Sequence, residues 1–315
     1  MNKTAFLFPG QGAQYVGMGK ELYDNFTVVR NFFDSLSLDL DFDIKKLCFE
    51  GPEDILKQTR YTQPCLLAVE IAFSKLLREF AIKADICAGL SLGEYAALVY
   101  SGAIDEKQAV KLVQKRGKIM EEAVPAGIGA MAAVLALDEK VLKDICNETG
   151  QLGIGIVEIA NYNCPGQLVI GGHKTAVEKA CDFAKEKGAK VIPLNVSGPF
   201  HTSLLKDAGV KLRRELEQIE IKKPSVPVIF NTKGNYQEND QIVDLLERQI
   251  YSGVYFEKTI RLMLNSGVTT FIEVGPSKTL SGFIKKIDRS VGIYNLEDME
   301  SLSVVRSRMS EVGKG

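Results

Sequence analysis

The sequence reads Gly89-Leu90-Ser91-Leu92-Gly93 where an apolar run, residues 86–90, passes directly into a helix-forming run, residues 94–99. A serine on a strand-to-helix turn between two glycines projects its hydroxyl out of the sheet, with a backbone N–H behind it that can bind an oxyanion. A tight turn with an incidental serine gives the same pattern. Ser91 is therefore a candidate nucleophile whose role depends on the rest of the chain.

Similar turns follow other apolar runs of the chain. The runs at residues 6–8, 86–90 and 271–274 each end in a Gly- or Pro-containing turn and lead into a helical pattern. This alternation predicts an α/β fold with a mostly parallel sheet, whose ligand site lies beyond the carboxyl ends of the strands. We expect Gly10-Gln11-Gly12, the serine turn and Gly275-Pro276-Ser277 to meet there.

The pattern changes between about residues 129 and 195. Strand-like and helical runs follow one another there in the order β-α-β-β-α-β, which is typical of a ferredoxin-like unit. We therefore predict a large α/β-hydrolase-like catalytic lobe from residues 1–128 and 196–315. A small ferredoxin-like lobe, residues 129–195, is inserted into it.

Composition limits the classes of function. The 315 residues are 45% hydrophobic and 25% charged, as in an ordinary globular protein, and the net charge of −1 argues against nucleic acid as the principal partner. The six cysteines are dispersed without a CxxC pair, so no disulfide framework or metal site is expected. No apolar run approaches membrane length, which predicts a cytoplasmic protein without a membrane partner.

The Gly10-Gln11-Gly12 turn invites comparison with phosphate-binding loops. A dinucleotide fingerprint needs glycine where Tyr15 stands, and a P-loop needs glycine at Gln14 and Ser or Thr at Glu21. Neither motif is present. The turn is interpreted as placing the backbone N–H of Gln11 as an oxyanion donor, or, equally well, as a close strand–helix crossing.

A serine nucleophile needs a base, and the chain has two histidines. His173 begins a helical run rich in lysine and glutamate, which is typical of a solvated residue near a helix start. His201 lies in the loop Ser197-Gly198-Pro199-Phe200-His201, which is rigid enough to hold an imidazole. His201 is therefore the candidate base.

Arg116 falls on the apolar face of a predicted helix over residues 105–122. That face carries Ala109, Leu112, Val113 and Met120 at helical spacing. An inward guanidinium needs a partner, such as a ligand carboxylate or phosphate. An internal ion pair or a side chain that reaches solvent from the edge of the face are the alternatives.

The sequence contains the motifs Phe8-Pro9-Gly10-Gln11-Gly12, Gly89-Leu90-Ser91-Leu92-Gly93-Glu94-Tyr95, Gln114-Lys115-Arg116-Gly117, Gly129-Ala130-Met131, residues 161–167, Gly198-Pro199-Phe200-His201 and Glu273-Val274-Gly275-Pro276. Together these motifs resemble those of the malonyl-CoA:acyl carrier protein transacylase family and of acyltransferase domains of fatty-acid and polyketide synthases. They follow one another over nearly the whole chain, which makes the resemblance far more specific than any one motif.

The resemblance implies a two-step transfer in fatty-acid biosynthesis. Malonyl-CoA acylates Ser91 with His201 as general base, coenzyme A leaves, and the phosphopantetheine thiol of acyl carrier protein then takes the malonyl group. The N–H groups of Leu92 and Gln11 bind the oxyanion, and Arg116 binds the malonyl carboxylate. The resemblance implies no cofactor, and it favours a monomer.

Three further roles come from the resemblance alone. The backbone carbonyl of Gln249 orients the histidine, Asn161 lines the acyl site, and Phe200 favours malonyl over methylmalonyl. The residues themselves favour a structural role for both, Gln249 as a helix-end glutamine and Asn161 as a turn residue at a strand end. Leu90 departs from the family, because most relatives carry histidine before the serine.

Two other classes stay open. An esterase or thioesterase uses the same serine and histidine and passes the acyl group to water, but has no evident need for Arg116. A non-catalytic module that binds carrier protein or acyl-CoA keeps a cleft without needing both Ser91 and His201.

Overall fold

The computed structural model describes residues 2–36, 40–125, 127–196 and 198–312. Contacts along the chain divide it into two compact units. The first comprises Met1–Gly117, Ile219–Phe230 and Leu262–Gly315, and the second comprises Lys118–Gln218 and Asn231–Arg261. The predicted small lobe, residues 129–195, lies within the second unit, which also takes in residues on both sides of it. The predicted lobe boundaries stay a prediction.

The described residues alternate between strands and helices along most of the chain. The strands are β1 (Lys3–Phe8), β2 (Ile86–Gly89), β3 (Gly129–Leu135), β4 (Val157–Cys164), β5 (Gln167–His173), β6 (Lys190–Pro193), β7 (Val228–Ile229), β8 (Val268–Val274) and β9 (Gly292–Leu296). The helices are α1 (Lys20–Asn25), α2 (Thr27–Leu36), α3 (Ile44–Glu50), α4 (Glu53–Leu56), α5 (Thr59–Glu79), α6 (Gly93–Tyr100), α7 (Glu106–Glu122), α8 (Glu139–Gln151), α9 (Lys174–Glu186), α10 (Lys206–Leu216), α11 (Ile242–Gln249), α12 (Phe256–Asn265), α13 (Thr279–Ile287) and α14 (Met299–Val312), with a 3-10 turn at Ser203–Leu205.

The first unit is built on a parallel sheet with the strand order β7-β2-β1-β8-β9. Strand β1 runs through its centre, and its residues Ala5 to Phe8 are fully buried. Such continuous apolar burial is expected of a central parallel strand. The sequence-based prediction of a mostly parallel α/β sheet is confirmed.

The turns after β1, β2 and β8 lie next to one another, as expected for adjacent parallel strands. A methyl group added at Gly10 would lie 2.6 Å from the carbonyl oxygen of Leu90. One added at Gly275 would lie 2.7 Å from Cγ of Pro9. The three turns therefore meet at the carboxyl edge of the sheet, which is where parallel sheets bind their ligands.

The second unit contains the other sheet, with the order β4-β5-β3-β6 and antiparallel pairing throughout. Helices α8 and α9 bury their apolar faces on it through residues such as Leu142, Ile145, Val177 and Ala180. The order β3-α8-β4-β5-α9-β6 is the predicted ferredoxin-like arrangement.

A helix that spans a bilayer must be both long and apolar. Within the described ranges, no helix is long and apolar enough to cross a membrane.

Candidate active site

Ser91 occupies a strained turn between β2 and α6. Its φ of 52° lies in the left-handed region that a residue with a side chain seldom adopts. The two glycines around it are sterically required: a methyl group at Gly89 would lie 1.9 Å from the carbonyl carbon of Gly93, and one at Gly93 would lie 2.1 Å from the carbonyl oxygen of Phe8. The turn is thus pressed against β1, and Ser91 stays half-buried at its tip.

Leu92 follows the serine directly and stands at the N-cap of α6. The next two N–H groups are used within the turn, because Gly93 N donates to the Leu90 carbonyl at 3.1 Å and Glu94 N to the Ser91 carbonyl at 3.2 Å. The positive end of a helix dipole therefore lies behind the serine, an arrangement that favours a developing oxyanion.

Arg116 lies fully buried on the predicted apolar face of α7, and Ala109, Leu112, Val113 and Met120 are buried with it. Its Nη2 donates to Ser91 Oγ at 3.2 Å, and its Nη1 donates to Gln63 Oε1 at 2.7 Å. Because Arg116 is completely enclosed, the alternative of a side chain that reaches solvent is excluded.

The environment of Arg116 is unusual for a cation. Burial lowers the pKa of its guanidinium, while the nearby Tyr95 and Glu94 act in the opposite direction. The Tyr95 ring centre lies 5.3 Å from the guanidinium carbon, and burial raises the pKa of Tyr95 to about 12. A charge held in such a place interacts strongly with an anion that reaches it.

Helix α5 supplies two contacts that the sequence reasoning missed. Gln63 accepts the hydrogen bond from Arg116, and Thr59 Oγ1 accepts one from Gln11 Nε2 at 3.0 Å. Both side chains are buried. The available signal was the group of polar residues Thr59, Thr62 and Gln63 at the start of an otherwise apolar helix, because buried polar groups need partners.

In the second unit, His201 is buried and has a φ of 62°. Its ring nitrogen Nδ1 lies 2.7 Å from the backbone carbonyl oxygen of Gln249, and its backbone N–H donates to the Ile250 carbonyl at 3.0 Å. A carbonyl oxygen only accepts, so Nδ1 carries the hydrogen and Nε2 is the nitrogen able to take up a proton. His201 thus has the tautomer that a general base needs.

Phe200 and Asn161 also belong to the second unit. Phe200 is 7% exposed, with its ring against Gly198, and Thr202 Oγ1 closes the turn by donating to the Pro199 carbonyl at 2.6 Å. Asn161 lies inside β4, at a register shift opposite β5, and not in a turn at the strand end. Gln249 is the last residue of α11, at a helix end.

The remaining histidine has a structural role. His173 is the N-cap of α9, and its Nδ1 accepts a hydrogen bond from Ile156 N at 2.9 Å. The six cysteines are buried free thiols. Within the described parts of the chain, no three His, Cys, Asp or Glu side chains are grouped in a way that would hold a metal ion.

The predicted site residues fall into two groups. Gln11, Ser91, Leu92 and Arg116 lie in the first unit, and Asn161, Phe200, His201 and Gln249 lie in the second. Within each unit, hydrogen bonds join predicted residues to one another: Arg116 to Ser91 in the first, and His201 to Gln249 in the second.

The first unit thus holds a serine turn with a buried arginine, and the second holds a histidine oriented by a backbone carbonyl. The sequence matches the acyl transferase domain family over residues 5–310. The chain belongs to the acyl transferase family.

This acyl transferase is similar over nearly its whole length to proteins of known name. It is 46% identical over 313 residues to a malonyl CoA-acyl carrier protein transacylase of Bacillus subtilis, covering 99% of this chain and 98% of the relative. The crystal structure of such a transacylase from Clostridium perfringens superposes with a TM-score of 0.96 at 47% identity, covering 99% and 98% of the two chains. A malonyl-transacylase solved in complex with a type II polyketide synthase acyl-carrier protein gives a TM-score of 0.93 at 40% identity, covering 98% of this chain and 100% of that one.

Proposed function

We propose that this acyl transferase moves the malonyl group from malonyl-CoA to the phosphopantetheine thiol of acyl carrier protein in fatty-acid biosynthesis. The observation that carries the proposal is the buried guanidinium of Arg116, 3.2 Å from the hydroxyl of Ser91. A fixed cation beside a nucleophile selects an acyl group that bears its own carboxylate. The names of the relatives support the same substrate and acceptor.

In the first half-reaction, Ser91 Oγ attacks the thioester carbonyl of malonyl-CoA while His201 Nε2 accepts the hydroxyl proton. The tetrahedral intermediate collapses with cleavage of the C–S bond, and the departing coenzyme A sulfur takes the proton back from the imidazolium. The products are malonyl-Ser91 and coenzyme A. The carbonyl of Gln249 holds His201 in the tautomer that this step requires.

In the second half-reaction, the phosphopantetheine thiol loses its proton to His201 and attacks the malonyl ester. The C–O bond to Ser91 breaks, and Oγ recovers its proton. The two steps form a ping-pong cycle that needs no cofactor, since the pantetheine arm belongs to the partner.

Four residues contribute binding in this scheme. The N–H groups of Leu92 and Gln11 bind the oxyanion of both intermediates, and losing one such donor typically costs about 10²- to 10³-fold in rate. Arg116 binds the malonyl carboxylate in a bidentate manner. Asn161 lines the acyl site in the second unit, and the chain acts as a monomer.

Phe200 contributes selectivity, because its bulky ring beside the malonyl α-carbon disfavours an added methyl group. A single methyl group is worth only about 1–3 kcal/mol of discrimination, so this selectivity is a preference for malonyl and not an absolute filter.

The test is the rate of malonyl transfer from malonyl-CoA to holo acyl carrier protein, set against the rate of release of free malonate. We expect transfer to the carrier to exceed hydrolysis, and Ser91→Ala to lose both. An esterase would give hydrolysis that the carrier does not suppress. A binding module would give neither product, and either result would overturn the proposal.

A further inference from the structure

Thr59 ties the Gln11 turn to the first turn of α5. Its side chain is fully buried, and its Oγ1 accepts a hydrogen bond from Gln11 Nε2 at 3.0 Å. Gln11 itself is half-buried. It follows Gly10, where an added methyl group would lie 2.6 Å from the carbonyl oxygen of Leu90. The Gln11 side chain is therefore anchored to a helix, while the residue before it packs against the serine turn.

The same turn of α5 contacts the helix that carries Arg116. A methyl group added at Gly117 would lie 2.7 Å from the carbonyl oxygen of Thr59 and 2.9 Å from Cα of Arg60. The backbones of α7 and α5 are thus in close contact at Gly117, one residue after Arg116. One turn further along α5, Gln63 accepts the hydrogen bond from Arg116 Nη1. Thr59 and Gln63 are four residues apart and so share one face of the helix.

We propose that Thr59 is a positioning residue, which fixes the backbone N–H of Gln11 where the oxyanion develops. This inference rests on the proposed function, in which Ser91 is the nucleophile and the Gln11 N–H binds the oxyanion. An oxyanion donor accelerates the reaction because it is held in place before charge develops, so a small displacement costs rate. Releasing the Gln11 side chain frees the turn to move away from Ser91.

The chemistry of the oxyanion makes the effect distinguishable from a loss of substrate binding. The donor acts on the thioester carbonyl, which every acyl group has in common, and acts most strongly in the transition state. Loss of the Thr59 hydroxyl should therefore lower kcat for malonyl-CoA and acetyl-CoA alike, with little change in KM. Replacement of Arg116 should instead lower the rate for malonyl-CoA much more than the rate for acetyl-CoA.

The experiment compares Thr59→Val, which removes the hydroxyl and keeps the branched shape, with Thr59→Ser, which keeps the hydroxyl. We expect Thr59→Val to lower kcat about 10- to 100-fold for both acyl groups, a range typical of a misplaced catalytic group. Thr59→Ser should stay within about threefold of the parent. An unchanged kcat in Thr59→Val, or a loss confined to malonyl, would overturn the proposal.

Gln11→Ala removes the same hydrogen bond from its other end, at a half-buried side chain, and keeps the test decisive if Thr59→Val fails to fold. Because both substitutions break one interaction, the double variant should be no slower than the slower single variant. Losses that multiply would contradict a shared role.

Acylation of Ser91 by p-nitrophenyl acetate separates this inference from the proposed function. That reaction uses the same oxyanion donors without coenzyme A, carrier protein or a carboxylate. If the parent chain fails to transfer malonyl yet is acylated by the ester, and Thr59→Val slows that acylation, the positioning role stands alone. An ester acylation rate equal in parent and variant refutes it.

Discussion

Arg116 Nη2 donates a hydrogen bond to Ser91 Oγ across 3.2 Å, and this contact joins the α7 helix to the serine turn. Serine and arginine lie in the same compact unit, 25 residues apart in the chain. A cation in direct contact with the nucleophile has little use in transferring an uncharged acyl group. It has an obvious use when the acyl group ends in a carboxylate.

Replacing Arg116 should therefore damage malonyl transfer selectively. We expect Arg116→Ala to lower kcat/KM for malonyl-CoA by about 100-fold, as expected for loss of one partner of a buried charge pair, and to affect acetyl-CoA much less. Steady-state kinetics with both thioesters measure the ratio. Lys118→Ala, on the exposed side of the same helix, is the matched control and should leave both rates unchanged. Equal losses for both substrates would indicate a purely structural arginine.

Phe200 should control tolerance for a substituted acyl group. We expect Phe200→Ser to lower the preference for malonyl-CoA over methylmalonyl-CoA by about tenfold, since a methyl group is worth about 1–3 kcal/mol in such a pocket. Competition between the two thioesters gives the ratio directly. Phe183→Ser removes a partly buried ring elsewhere in the same unit and controls for general destabilisation. An unchanged preference for malonyl-CoA over methylmalonyl-CoA in Phe200→Ser would contradict the placement of Phe200 in the acyl site.

Periodicity and turn chemistry predicted most of this fold. Local patterns predicted strands β1, β2 and β8, the ferredoxin-like order and the inward placement of Arg116. Apolar spacing and glycine turns are properties of short contiguous stretches, so they can be recognised in the sequence. The partners of Arg116 and Gln11 on α5 were missed, since contacts between distant segments leave no local pattern. The edge strands β7 and β9 were missed as well: β7 has only two residues, and β9 is mostly half-buried.

The serine turn should tolerate no side chain at Gly89. A methyl group there would lie 1.9 Å from the Gly93 carbonyl carbon and 2.4 Å from the Glu94 nitrogen, and both of these are backbone atoms that cannot rotate away as a side chain can. We expect Gly89→Ala to lower the free energy of unfolding by about 3 kcal/mol or more, at the upper end of overpacking effects.

Gly150 provides the matched control, because a methyl group there would meet open space within helix α8. Gly150→Ala should raise the free energy of unfolding by about 0.5–1 kcal/mol through higher helix propensity. Urea denaturation measures both variants. A Gly89→Ala protein as stable as the parent would contradict the close packing of the turn.

Glu70 should give the stability a recognisable pH dependence. Its carboxyl is fully buried in α5, and burial, with a smaller effect of Glu273, raises its pKa well above the ordinary value of 4.5. At pH values between 4.5 and the raised pKa of Glu70 in the folded state, the folded chain binds more protons than the unfolded chain. The stabilising contribution of protonated Glu70 is therefore complete below pH 4.5, and it is lost as the pH rises through the pKa that Glu70 has in the folded state.

Glu70→Gln keeps the shape of the neutral acid and cannot ionise. We expect its free energy of unfolding to fall less steeply with rising pH than that of the parent, as measured by urea denaturation at a series of pH values. Glu273, whose pKa is also raised chiefly by burial, keeps part of the slope in both proteins. Identical slopes for parent and variant would show that the pKa of Glu70 is the same in the folded and unfolded chains, which would contradict the raised pKa.

The most direct measurement is intact-mass analysis after mixing the chain with malonyl-CoA, followed by addition of holo acyl carrier protein. We expect a mass increase of one malonyl group located on Ser91, which disappears as the carrier gains the same group. Ser91→Ala should show no increase. An adduct that water removes as fast as the carrier does, or no adduct on the parent chain, would contradict malonyl transfer through Ser91.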